Sequence, residues 1–158
     1  MKNFKLKTHY KKILADTISP VSVYLKIRDQ FPNSILLESS DYHGNDNSFS
    51  YICCNPIASI KVDANQITKT YPDHTTEIKT VASDEVTIEI DAFTKQFETQ
   101  KDKAFKFINN GMFGFTAYDA VKYFEDITIS KKEDSIQIPD MYYAVYQNII
   151  AINHFKNE

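Results

Sequence analysis

Apolar and polar residues recur along this chain in short stretches, most with the period of two that marks a half-buried strand. Phe4, Leu6 and Thr8 alternate with lysines. Ser19-Pro20 predicts a helix start, with Ser as N-cap and Pro at the first helical position, where its missing N–H costs nothing. Val23, Tyr24, Ile27 and Phe31 follow at helical spacing, and Pro32-Asn33 ends the helix. The stretch 34–40, SILLESS, reads as an apolar strand that turns polar at its end. Residues 41–47, DYHGNDN, have the content of a connecting loop, and 49–54 look like the return strand of a hairpin. Beyond Pro56, alternation over 57–62, 66–71 and 76–81, with turns near Ala64-Asn65 and Pro72-Asp73, predicts an antiparallel meander.

Residues 85–100 carry two periods. Val86, Ile88 and Ile90 alternate like a strand, whereas Phe93 and Phe97 are four apart like a helix. The reading is a short strand or turn passing into a helix from about Asp91, which can cap. Residues 111–118, GMFGFTAY, form a Gly-punctuated strand, and 119–125 a short helix with Asp119 at its N-cap. Residues 130–134 are polar loop, and 141–153 a long strand rich in Tyr and Ile. The last five residues, HFKNE, look like a hairpin turn whose following strand is missing, so the pattern predicts a chain truncated after 158. The fold class is α+β: antiparallel sheets with flanking helices, in a single domain over 1–158.

Composition narrows the function classes. At 158 residues, 42% apolar and 25% charged, the chain is an ordinary globular domain with eleven Phe and ten Tyr to bury. A net charge of -3 argues against a nucleic-acid binder, which needs a basic face to replace counterions. The tight pair Lys131-Lys132 reads as solvated loop. No apolar run approaches the roughly 20 residues needed to cross a bilayer, and residues 1–8 lack a signal core. Cys53 and Cys54 are adjacent, which suits neither a relaxed disulfide nor a zinc site, and point to a reducing compartment. The expectation is a soluble cytoplasmic protein.

Catalytic motifs are absent. Three glycines, Gly44, Gly111 and Gly114, are too few for a phosphate cradle; Gly111 and Gly114 read as close backbone approach in a strand or a bulge. His9, His43, His74 and His154 stand apart from any ligand-spaced partner, so no metal site is assigned. The two cysteines read as small buried strand residues, and Glu125-Asp126 as a solvated acidic turn. One feature stands out: Glu38, Ser39, Ser40 and Asp41 close the apolar run 35–37. Polar groups at a strand end can face a ligand, and a carboxylate there can pair with an ammonium. On the residues alone, the strand has simply reached solvent.

Taken in order, DTISPV at 16–21, LLESS at 36–40, SFSYICCNP at 48–56, NGMFGFTAYDAVKYFE at 110–125, IPDMYY at 138–143 and Asn153-His154 resemble the N-terminal region of anthranilate synthase component I. The resemblance spans most of the chain and is weakest over 70–107. It implies a lyase of tryptophan biosynthesis that converts chorismate to anthranilate and pyruvate, takes ammonia from a glutamine amidotransferase subunit (component II), and requires magnesium. The chorismate and magnesium residues would lie in the C-terminal two-thirds, outside this chain, so no catalytic, cofactor or metal residue is expected here.

The same resemblance implies that the LLES segment lines an allosteric L-tryptophan pocket. Carried over by position, Glu38 faces the effector's α-ammonium and Ser39 hydrogen-bonds or packs against it, with Phe49 and Ser50 added by the return strand. Some relatives have a basic residue where Phe49 stands. The rival readings are aminodeoxychorismate synthase component I of folate synthesis, a stand-alone amino-acid-binding regulatory module, and an α+β interaction domain. The glutamate of LLES favours anthranilate synthase.

Overall fold

Alternating burial along residues 49–63 makes the strand to which the main sheet is attached. The structure, a computed structural model, describes residues 2–38, 48–99, 107–127, 129 and 138–158. In chain order these form β1 (Phe4–Leu6), α1 (Pro20–Ile27), β2 (Ile35–Leu37), β3 (Phe49–Asp63), β4 (Gln66–Thr70), β5 (Thr76–Thr80), a 3-10 turn at Ser83–Glu85, α2 (Val86–Thr94), β6 (Phe97–Thr99), β7 (Phe113–Thr116), a 3-10 stretch at Tyr118–Tyr123, and β8 (Met141–Asn153). The main sheet runs β5-β4-β3-β8-β7, with β2 also paired to β3, and β1 pairs with β6 in a second sheet. The pairs β2–β3, β3–β4, β4–β5 and β7–β8 are antiparallel, as the α+β reading expects. The loops expected at 41–47 and 130–134, with Lys131-Lys132, lie outside the described residues.

Two compact units share these elements. One comprises Met1–Lys5, Ile57–Glu98 and Met112–Val145. Its meander turns at Ala64 and Asn65, both with positive φ (47° and 67°), the requirement of a tight two-residue hairpin turn. Phe4, Tyr71, Phe93 and Phe97 form a chain of ring contacts with centroids 5.1–6.0 Å apart. The structure corrects the reading of 85–100. Val86, Ile88 and Ile90 are helical, and the helix begins at Val86, not Asp91. Val86 and Phe93, seven apart, are fully buried while Ile88 is 65% exposed, so packing selects the 3.6-residue period. Asp119 is likewise not a cap. The 3-10 stretch starts after Ala117 with no side-chain capping bond. Its buried residues, Ala120 and Tyr123, are three apart, the spacing a 3-10 helix aligns.

The other unit comprises Leu6–Pro56, Thr99–Gly111 and Tyr146–Glu158. α1 begins as expected: Ser22 N–H donates to Ser19 Oγ and Ser19 N–H to Ser22 Oγ, both at 3.2 Å, with Pro20 at the first helical position. Two strands were expected on either side of Pro56, and β3 instead runs through it. Asn55 takes a left-handed conformation (φ 60°), which its short polar side chain tolerates, and the strand continues past the proline. After β8 the chain turns: Asn153 N–H donates to Glu158 O at 2.8 Å, and Asn153 Oδ1 accepts from the amides of Phe155 and Lys156 at 2.9 Å. Among the described residues no helix is long and apolar enough to cross a membrane.

Candidate functional site

The β2–β3 hairpin positions the residues singled out from sequence. Ile35 stands opposite Cys53, Leu36 opposite Ile52 and Leu37 opposite Tyr51. The next positions along the two strands are Glu38, which is exposed, and Ser50, which is fully buried. Ser39 lies outside the described residues. Because successive strand residues face opposite ways, Phe49 and Ser50 belong to different faces of β3.

The Phe49 face is aromatic. Its ring lies 5.5 Å from Phe107 and 6.3 Å from Tyr51, whose hydroxyl accepts the Ile108 N–H at 3.2 Å. Burial pushes the Tyr51 phenol above its ordinary pKa, more than the Ile108 hydrogen bond lowers it. On the other face, Ser50 Oγ is 2.6 Å from His154 Nε2, and the His154 N–H donates to Ser48 O at 3.1 Å. Ser48 is buried as well. The structure therefore brings Ser50 together with a residue that sequence reasoning had set aside as an isolated histidine. Its only signal in the sequence was the Asn153-His154 pair of the resemblance.

Cys53 and Cys54 are free and buried in β3. Burial, then the neighbouring Cys54, pushes the Cys53 thiol up to about 12, away from the range of a reactive thiolate. Gly114 meets its expectation of close approach, since a Cβ there would stand 1.9 Å from the Tyr142 carbonyl oxygen. A cleft of about 430 Å³ in the first unit is lined by Ile90, Asp91, Met112, Phe124, Met141 and Tyr143, among others, and Glu38, Phe49 and Ser50 are not among its lining residues. Among the described residues no group of three or more His, Cys, Asp or Glu side chains is placed to hold a metal ion.

Known proteins matching this sequence agree with one another. Anthranilate synthase component 1 of Lactococcus lactis subsp. lactis is 30% identical over 150 residues, 94% of this chain and 30% of the relative. By sequence, the chain is similar to part of anthranilate synthase component 1. The proteins of that name from Thermus thermophilus and Mycobacterium tuberculosis are each 26% identical, over 97% and 92% of the chain. The chain spans 28–31% of the length of these three relatives. No family model matches. A crystal structure of anthranilate synthase component I from Streptococcus pneumoniae aligns over 96% of this chain and 31% of its own, at 23% identity and a TM-score of 0.49.

Proposed function

We propose that this chain is the N-terminal segment of an anthranilate synthase component I and carries part of its tryptophan feedback site. The observation that carries this reading is the match to proteins of that one name over nearly the whole chain. The intact enzyme is a cytoplasmic lyase of tryptophan biosynthesis. It converts chorismate to anthranilate and pyruvate with ammonia from a glutamine amidotransferase subunit. Its chorismate and magnesium ligands lie outside this chain, so the described residues supply regulation and no catalytic step.

In this reading the end of the β2–β3 pair at Leu37 and Tyr51 receives L-tryptophan. The exposed Glu38 carboxylate pairs with the effector's ammonium. Ser39 lies beside it in sequence, and Phe49 and Ser50 begin the return strand. An effector that binds one conformation better weakens chorismate binding by the same coupling free energy, typically about 1–3 kcal/mol.

The test is to express the protein from its whole reading frame and follow product from chorismate, ammonium and magnesium, with and without L-tryptophan. Fluorescent anthranilate that falls as tryptophan rises supports both parts. Aminodeoxychorismate as product moves the protein to folate synthesis. No turnover of chorismate overturns the enzymatic reading.

A further inference from the structure

Ser50 is fully buried, so its hydroxyl must be satisfied inside the fold, and His154 Nε2 at 2.6 Å does so. His154 is also held by its backbone, which donates to Ser48 O at 3.1 Å. It opens a turn that is itself closed: Asn153 and Glu158 exchange backbone hydrogen bonds, the Asn153 side chain caps two amides, and Ala15 N–H donates to Asn157 O at 2.7 Å. An ion pair from Lys12 to Glu158, at 2.6 Å, adds a further tie. The start of β3 is thus fastened, side chain and backbone, to a hydrogen-bonded turn at the end of β8.

From this geometry we infer that His154 is a positioning residue for the effector site: through Ser50 it holds the end of the β2–β3 pair at Leu37 and Tyr51, and with it Glu38, in the conformation that binds L-tryptophan. The inference rests on the tryptophan-site reading and assigns Ser50 a role other than ligand contact. Ser50 faces inward to His154, and the effector meets the exposed Glu38 one step further out.

Its test uses the protein expressed from its whole reading frame and L-tryptophan as probe, in His154→Phe, His154→Gln and Ser50→Ala variants. Binding is read by calorimetry, and the fold without ligand by circular dichroism and thermal melting. His154→Phe fills the space but offers Ser50 no nitrogen, and should weaken tryptophan about tenfold while the ligand-free fold persists. His154→Gln keeps an amide in reach of Ser50 Oγ and should restore most of the affinity, a rescue that bulk packing alone does not give. Ser50→Ala combined with His154→Phe should be no worse than either alone. Equal tryptophan affinity in the parent and His154→Phe overturns the inference and leaves the feedback site standing. A parent that binds no tryptophan overturns the feedback site and the inference together. Loss of folding in His154→Phe passes the decision to His154→Gln and Ser50→Ala, where unchanged affinity in Ser50→Ala counts against the clamp.

Discussion

The Tyr123 hydroxyl donates to Asp140 Oδ2 at 2.6 Å and accepts the Asn65 N–H at 3.2 Å. Asp140 also takes the Ala64 N–H at 3.1 Å and Lys122 Nζ at 2.8 Å. One carboxylate and one phenol therefore satisfy both amides of the β3–β4 turn. Burial pushes Asp140 up, but the three hydrogen bonds together outweigh it and hold the carboxyl below its ordinary value. Asp140→Asn should cost about 2 kcal/mol and Tyr123→Phe about 1 kcal/mol. The double variant should cost less than their sum, because both act on one network. Urea unfolding of the four proteins measures this; strict additivity would show that the two residues act separately.

Glu89 bridges two lysines of unlike exposure. Its Oε2 lies 2.5 Å from Lys69 Nζ, whose side chain is 5% exposed, and its Oε1 lies 2.6 Å from Lys79, which is half exposed. Glu89→Gln strips the charge partner from a buried ammonium and should cost about 3–5 kcal/mol. Lys79→Ala removes only a surface partner and should cost far less. Similar losses in the two variants would refute the asymmetry. Hydrogen bonds from Lys69 and then Lys79 lower the Glu89 pKa in the fold. The sign follows: the unfolded state binds the extra proton, so this stabilisation is full above the unfolded carboxylate value of about 4.3 and is lost as pH falls through the lower folded value. Glu89→Gln should therefore flatten the acid limb of a stability–pH curve.

How much of this was legible in sequence depended on distance along the chain. The hairpin from Ile35 to Cys53 is readable because its polar segment 41–47 lies between two apolar runs, and β8 because its thirteen residues are rich in Tyr and Ile. α2 was misread because Val86, Ile88 and Ile90 suit either period until Phe93, fully buried against the sheet's unit, decides which face turns inward. The break expected at Pro56 failed because Asn55 absorbs the kink. The resemblance names Glu38, Ser39, Phe49 and Ser50 as candidates. The Ser50–His154 contact is not legible, since 104 residues separate the partners and nothing in the sequence links one to the other.

Gly114 pairs with Tyr143 where β7 meets β8. An added Cβ would come within 1.9 Å of one backbone atom and 2.7 Å of another, neither of which a side-chain rotation can relieve. Gly114→Ala should cost about 3 kcal/mol or more, through loss of β7 from the sheet edge. Gly111→Ala meets no atom within 4 Å and is strained only by its φ of 134°. Amide hydrogen exchange should show new exchange at residues 113–116 in the first variant alone; protection there in Gly114→Ala would mean that the strands can shift apart without separating.

Glu38→Gln separates a charge role from a shape role at the proposed effector site. Glu38 is exposed just beyond β2, and thermal melting of the variant reads its fold. If Glu38 faces the α-ammonium, losing its charge should weaken L-tryptophan about tenfold, while indole-3-propionate, which lacks the ammonium, should bind parent and variant alike. Ser39→Phe should act differently: it fills the pocket, excludes both ligands and relieves inhibition while turnover of the whole enzyme is kept. Inhibition curves with the two ligands across the two variants give four readings. Equal weakening of both ligands by Glu38→Gln would remove the carboxylate from the ammonium subsite, and undiminished inhibition in Ser39→Phe would remove Ser39 from the pocket.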